Sequence, residues 1–330
     1  MSAAVVYVEP GVVTTGVVPE RELGPRDVRI DVEACGVCGS DLASFAHGHY
    51  IEPGQIMGHE LAGRVAEAGE ERTALIGRRV TVRPMQSCGT CSYCRAGAAH
   101  LCGATYGPSL GYGTPGAFAE QVVLSEAEPG VTIFPVPDEV DPFDLLWAEP
   151  FAVALHAVDL AGPAREILVT GAGAVGLTVM AAARVAGMRV TAVEPLAGRR
   201  AAAETLGAAT FEPGALPDGA RFDALVDASG VPAAVRAALP FLRGGAPVVM
   251  VGLNDDPIAF PCGDHPVRGS FAYLQKDFVR SVELIASGEV RLSHLVTDRL
   301  GLDRAADALR GPAAGDATVK AAIVPQRGSA

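Results

Sequence analysis

The sequence predicts an α/β protein in which a doubly wound parallel sheet is joined to a second, mainly β domain. Up to about residue 150 the chain is a series of short β-type runs split by Gly and Pro, and from about residue 152 strands and helices alternate. Alternation of that kind requires a parallel sheet with helical crossovers. A third observation is the run Gly171-Ala172-Gly173-Ala174-Val175-Gly176 between a strand and a helix, which marks the first β–α turn of such a sheet.

The elements follow in order. VRIDVEA (28–34), GRRVTVRP (77–84) and AEQVVL (119–124) are rich in β-branched residues, and they predict a compact antiparallel β domain. EILVTG (166–171) reads as a short buried strand, and AVGLTVMAAARVAG (174–187) as a helix ended by Gly187. MRVTAVE (188–194) is a second strand and GRRAAAETLGA (198–208) a second helix; FDALVDAS (222–229) and APVVMVGL (246–253) are further strands. KDFVRSVELIASGEV is a helix, and the strand KAAIVP near the C-terminus is expected to return to the first domain, because the tail is too short to form a domain alone. The expected division is 1–151, 152–270, and a return segment 271–330.

Composition narrows the function. With 38 acidic and 26 basic residues the formal net charge is −12, which opposes binding to nucleic acid or an anionic membrane. No apolar run approaches a transmembrane helix, and MSAAVVYVEPG lacks the features of a signal peptide. A reducing, cytoplasmic location is expected, in which clustered cysteines are metal ligands and not disulfides. Cys35 and Cys262 lie outside any motif and are read as small buried hydrophobes.

Cys88, Cys91, Cys94 and Cys102 are spaced C-x2-C-x2-C-x7-C. Four thiolates make a closed tetrahedral site, so the segment 85–105 is read as a structural zinc lobe. Gly171 permits the tight turn, Gly173 lets the backbone approach a pyrophosphate, and Gly176 allows close packing of helix on strand, with Ala174 and Val175 opening the helix toward the phosphates. Glu194 ends the next strand 18 residues after Gly176. A carboxylate there accepts hydrogen bonds from the adenosine ribose and repels a 2′-phosphate, so NAD is preferred. Arg199 and Arg200 keep NADP open, since either could reach a phosphate; a solvated first helical turn is the plainer reading of the pair.

Three more segments, GVCGSD (36–41), GHELAG (58–63) and AEPFAVALHA (148–157), are ambiguous singly: Cys38 could be a buried thiol and His59 a core histidine. Together with the cysteine run and the glycine turn, they resemble the zinc-dependent medium-chain dehydrogenases, the alcohol dehydrogenase superfamily, essentially end to end. Glu149-Pro150 resembles the sorbitol and threonine dehydrogenase branch; alcohol dehydrogenases proper carry a cysteine in place of Glu149. The resemblance implies a Rossmann domain and a GroES-like catalytic domain, two Zn2+ per chain (one catalytic, one structural), NAD, and a homodimer or homotetramer. It also implies Cys38 and His59 as catalytic zinc ligands, Glu60 as an additional or exchanging ligand, and Glu149 as a ligand directly or through water. Asp41 corresponds to the carboxylate that orients the zinc histidine, and Ser40 to the hydroxyl that takes the substrate's proton. One thiolate, one imidazole and one carboxylate with an open position suit a catalytic site.

Two departures stand out. Many relatives carry a relay histidine three residues after the serine, where this chain has Ala43; His47 and His49 could substitute or could be plain surface-loop histidines. The usual GDRV strand is Gly77-Arg78-Arg79-Val80 here, so its acidic residue is gone. The expected substrate is a polyol, sugar, cyclitol or amino-alcohol, with Tyr50, Phe118 and Tyr273 as pocket candidates. Ala272 stands where sorbitol dehydrogenases often have an arginine, which makes sorbitol itself a poor fit and a cyclic or larger polyhydroxylated alcohol a better one. Trp147, the single tryptophan, is read as core. The competing functions are an NADP-preferring alcohol dehydrogenase or ketone reductase, a non-catalytic structural relative, a zinc-ribbon nucleic-acid binder, and a zinc-free reductase of the same superfamily. Intact Cys38, Ser40, His59 and Glu149 oppose the second and fourth, and the net charge opposes the third.

Overall fold

The strand Val28–Gly36 is the centre of the first sheet, and its sequence shows why. Val28 and Ile30 are wholly buried and pack with Val65, Val80 and Ile133 in one apolar cluster; β-branched side chains fit such a pleated, covered face. The sheet order is Val296–Leu300, Lys320–Ile323, Val28–Gly36, Glu60–Ala68, Arg79–Val82 and Ile133–Val136, with Gln121–Leu124 also paired to Val28–Gly36. Every pairing is antiparallel except that of Val296–Leu300 with Lys320–Ile323. The computed structural model describes residues 1–252, 256–260, 265–311 and 318–325; Cys262 and the end of the run read as a strand over 246–253 lie outside them.

Register places the functional segments. Gly36 is opposite Glu60, and Ala322 of the re-entering strand is opposite Gly36. The end of one strand, the start of the next and a strand from near the C-terminus therefore meet at one end of this sheet. The helix Gly39–His47 follows directly, with Cys38 as its N-cap.

In the other sheet all strands are parallel, in the order Ala209–Phe211, Arg189–Val193, Glu166–Thr170, Ala224–Asp227, Val248–Met250, Val267–Gly269. Numbered along the chain this order is 3-2-1-4-5-6, the doubly wound arrangement of dinucleotide-binding domains. The glycine turn follows the strand Glu166–Thr170, at the point where the winding reverses.

The chain divides into two compact units: one takes Met1–Glu149 with the segments beginning at Phe278 and Lys320, the other Pro150–Asp277 with Thr318 and Val319. The boundaries differ from the expected 151/152 and 270/271 because each falls inside a helix. Ala148–Ala161 and Gln275–Ala286 run across them without a Gly- or Pro-rich linker to mark the change. The two helices end earlier than read, Ala174–Val185 and Ala197–Thr205 replacing 174–187 and 198–208, the second also starting one residue sooner. The N-terminal hairpin of Ser2–Glu9 and Val12–Val18 was not anticipated.

Candidate active site

Three side chains converge at the sheet end described above. One ligand atom each from Cys38, His59 and Glu60 lies within 4.8 Å of the others. Cys38 comes from the helix N-cap, Glu60 from the first residue of its strand and His59 from the residue before it. His59 and Glu60 are 3 % and 2 % exposed.

Asp41 ties these parts together. Its Oδ2 accepts the Cys38 backbone N–H at 2.9 Å, and its Oδ1 lies 3.5 Å from His59 Nδ1. The carboxylate thus faces Nδ1 and leaves Nε2 for coordination, the usual arrangement for a metal-bound histidine. Burial opposes a charge on His59, but Tyr112, the Asp41 carboxylate and Cys38 outweigh it and hold the imidazole well above its ordinary pKa. A metal would compete with that proton.

Glu60 has a partner that the sequence did not reveal. Lys320, on the re-entering strand, forms an ion pair with its carboxylate, the two side chains being 1 % and 0 % exposed. A Cβ at residue 36 would overlap Glu60 Oε2 and crowd Lys320 Cε, so only glycine fits there. The Lys320 ammonium also sits 5.3 Å from the Trp147 ring, which is fully buried core as expected. Burial works against charge on Lys320, but Glu60 and Cys38 raise its pKa.

Glu149 stands outside the tight set of Cys38, His59 and Glu60. Burial, partly offset by His59, pushes its carboxyl up to about 7, with Glu60 adding to the rise. Its titration is thus coupled to the same cluster.

Ser40 accepts a hydrogen bond from the Tyr112 hydroxyl at 2.8 Å. Burial raises the Tyr112 pKa, so it remains a neutral donor. His47 and His49 are both exposed, with rings 5.4 Å apart, and among the described residues neither bonds Ser40.

The pocket assignments change. Phe118 is wholly buried, packed in the core against Gly58, so it offers no open surface to a substrate. Its backbone carbonyl accepts the Val5 N–H at 2.8 Å beside the Ala4–Ala119 bridge, which turns the ring inward. Tyr50 is 60 % exposed and stacks on Tyr106 at 4.6 Å. Tyr273 is 2 % exposed and belongs to the other unit. Arg78 stands at the position of the missing acidic residue, and the next residue, Arg79, pairs with Glu33 at 2.9 Å.

The four cysteines come together as a second set, with Sγ–Sγ separations of 3.9 Å for Cys88–Cys94, 3.5 Å for Cys91–Cys94 and 3.5 Å for Cys88–Cys102. Four sulfurs each about 2.3 Å from one zinc lie about 3.8 Å apart, so the geometry fits that ion. N–H and O–H groups of Thr90, the Cys91 N–H and the Cys102 thiol bring Cys88 down to about 6, into the thiolate form that binds metal.

In the parallel-sheet unit Gly171 has φ +89°, and a Cβ on Gly176 would overlap the Gly171 carbonyl. Gly173 caps the helix Ala174–Val185. Glu194 is 4 % exposed; its Oε2 accepts the Ala172 N–H at 2.8 Å and Oε1 the Leu196 N–H at 3.0 Å. Each oxygen keeps a lone pair for a ribose hydroxyl. Arg200 is tied to the Glu194 and Pro195 carbonyls and to Glu212, which fills a role beyond a solvated turn. Arg199 bonds the Thr318 carbonyl at 3.1 Å and leans over Gly173, while its buried Nε has no partner.

Residues 24–138 match the alcohol dehydrogenase GroES-like domain and residues 174–287 the zinc-binding dehydrogenase domain. Sorbitol dehydrogenase of Bacillus subtilis (strain 168) is 32% identical over 88% of this chain and 88% of its own. D-xylulose reductase A of Aspergillus oryzae is 32% identical over 88% and 87%. A structure described as a zinc-binding dehydrogenase from Sinorhizobium meliloti 1021, bound to NADP, superposes with a TM-score of 0.90 at 31% identity, covering 98% of this chain and 99% of that one. The chain belongs to the zinc-dependent medium-chain dehydrogenases, within their sorbitol dehydrogenase-like branch.

Proposed function

We propose that the protein interconverts a secondary alcohol of a polyhydroxylated compound and the corresponding ketone, with one catalytic zinc, one structural zinc and NAD(H). The convergence of Cys38, His59 and Glu60 within 4.8 Å carries this reading. The names of the sorbitol dehydrogenase and D-xylulose reductase relatives support the substrate class. The fit to zinc rests on the buried Glu60 Oε1, which has no hydrogen-bond partner among the described residues while Oε2 is held by Lys320, and on a soft and borderline donor set of sulfur, imidazole and carboxylate.

Cys38 and His59 would hold the catalytic ion, with Glu60 and Glu149 as carboxylates able to enter or leave its shell. When bound, zinc withdraws electron density from the reacting oxygen, and the nicotinamide takes or returns the hydride. Asp41 fixes the His59 ring. Ser40 takes the hydroxyl proton, so alcohol and NAD+ give ketone, NADH and one proton. Cys88, Cys91, Cys94 and Cys102 would hold the structural ion.

Gly171, Gly173, Ala174, Val175 and Gly176 would cradle the pyrophosphate, and Glu194 the ribose diol. The unpartnered Arg199 Nε and the NADP-bound relative favour a second reading, in which NADP is used. The assembly proposed is a homodimer or homotetramer, read by light scattering. The deciding assay screens polyols, cyclitols, sugars and amino-alcohols with each cofactor. A zinc-dependent activity abolished by His59→Ala, with cofactor binding retained in fluorescence titration, is the expected result. Retained turnover in that variant overturns the reading.

A further inference from the structure

We propose that Tyr112 is a positioning residue for the reaction, acting through the Ser40 hydroxyl. The proposal rests on the reading that Ser40 takes the substrate's proton. Among the described residues, Tyr112 is the hydrogen-bond partner of Ser40 Oγ, at 2.8 Å. The position three residues after Ser40 is Ala43, which can carry no proton.

The loop that presents Tyr112 is anchored on both sides. Ser109, 3 % exposed, accepts the Gln86 N–H at 3.0 Å through its hydroxyl, and its carbonyl takes the N–H groups of Tyr112, Gly113 and Thr114 at 3.1–3.3 Å. Gly111 has φ +80°, and a Cβ there would come within 2.7 Å of the Gly58 carbonyl oxygen, so the loop lies directly on the segment that leads into His59. The Tyr112 ring packs on the His59 ring at 5.2 Å and edge-on to Tyr106 at 5.6 Å. Tyr106 is in turn covered by Tyr50, which holds φ +62°, a conformation that an aromatic residue adopts only when its surroundings favour it. The phenol is thereby fixed on a rigid support.

A serine hydroxyl has one hydrogen and two lone pairs. The phenol O–H fills one lone pair. The other remains to accept the substrate's proton, and the serine's own hydrogen would pass to a hydroxyl of the bound cofactor's ribose and from there to solvent. The donated bond also fixes the Oγ rotamer, so that the remaining lone pair keeps one direction. A free serine would sample orientations that miss the substrate.

The test is a double-mutant cycle on the zinc-loaded enzyme with the substrate found by the screen. Tyr112→Phe keeps the ring and removes the hydroxyl. It should lower kcat by about tenfold with KM nearly unchanged, and leave zinc content and melting temperature as in wild type. In a Ser40→Ala background, assayed at high enzyme concentration, the same change should have no further effect on kcat. Tyr112→His, which keeps a ring and a donor, should retain more turnover than Tyr112→Phe and serves if the phenylalanine variant is unstable. An unchanged kcat in Tyr112→Phe, or an equal fractional loss in both backgrounds, overturns the proposal. Full turnover in Ser40→Ala overturns the role of Ser40 and the proposal with it, and is told apart by that single variant.

Discussion

Lys320 and Glu60, 260 residues apart in sequence, form a buried ion pair across the intervening strand Val28–Gly36, with 1 % and 0 % of their side chains exposed. The strand Lys320–Ile323 enters the sheet beside Val28–Gly36, and its first residue reaches the carboxylate proposed as an exchanging zinc ligand. The lysine and a metal would therefore compete for the same oxygens. With Lys320 holding Glu60, a zinc ion bound by Cys38 and His59 would keep a position for the substrate oxygen.

Lys320→Met should be strongly destabilising, because removing one partner of a buried pair leaves an uncompensated charge; the expected cost is about 3–5 kcal/mol. With Glu60→Gln added, much of that loss should be recovered. Denaturant melts of the single and double variants check this, and an unaltered midpoint in Lys320→Met would show that the pair is not buried in solution.

Much of this site is visible in the residues themselves. The four-cysteine spacing and the glycine turn after a buried strand are local signals, and each set of residues is brought together by a few turns of chain. GVCGSD and GHELAG become neighbours through one antiparallel pairing, Gly36 opposite Glu60. Lys320 was illegible because its burial depends on a strand returning from near the C-terminus, and nothing in KAAIVP says which neighbour its lysine meets. Tyr112 was missed because a loop written YGPSLGYGT has no period from which side-chain direction can be read. Phe118 was misassigned for a related reason: an aromatic residue beside an active-site loop fits a pocket wall and a core equally well until the backbone pairing at Ala119 turns it inward.

The zinc lobe is tested by metal content. Wild type should hold two zinc ions per chain and Cys91→Ser one, as counted by atomic emission on gel-filtered protein. Because binding energy of a structural metal is folding energy, the melting temperature should fall by roughly 3–5 °C, the shift that about 2–3 kcal/mol produces in a chain of this size. Two ions and an unchanged melting temperature in Cys91→Ser would remove the lobe assignment.

Acid stability should depend on Asp27. Burial raises its carboxyl pKa, but the Gly24 and Glu126 N–H groups and the Arg21 guanidinium lower it further, and the net value is depressed. A depressed folded pKa adds stability that is fully present above the unfolded value, near 3.9, and is lost as pH falls through the folded value. Asp27→Asn should therefore be less stable than wild type at pH 7, and the gap should close below about pH 4. Denaturation midpoints measured from pH 3 to pH 7 give the difference directly. A gap that stays constant across this range would mean that the hydrogen bonds, and not the charge, account for the contribution.

The proposed cofactor choice rests on Glu194 and Arg199. Glu194 is fixed by two backbone N–H groups; Arg199 brings its Nη1 beside Gly173 and has a buried Nε without a hydrogen-bond partner among the described residues. The carboxylate favours a ribose diol and repels a 2′-phosphate, so wild type should prefer NAD. Glu194→Ala should weaken NAD use by about 1.5–3 kcal/mol, about ten- to hundredfold, through loss of charge-assisted bonds. The same change should improve NADP use, since Arg199 would then face the phosphate without a competing charge, and Arg199→Ala in that background should abolish the gain. Arg200, held by the Glu194 and Pro195 carbonyls and by Glu212, should matter far less. These effects act on the adenosine end, remote from hydride transfer, so they should appear in the cofactor KM and leave kcat nearly constant. Wild-type preference for NADP would show that Arg199 outweighs the carboxylate at this strand end.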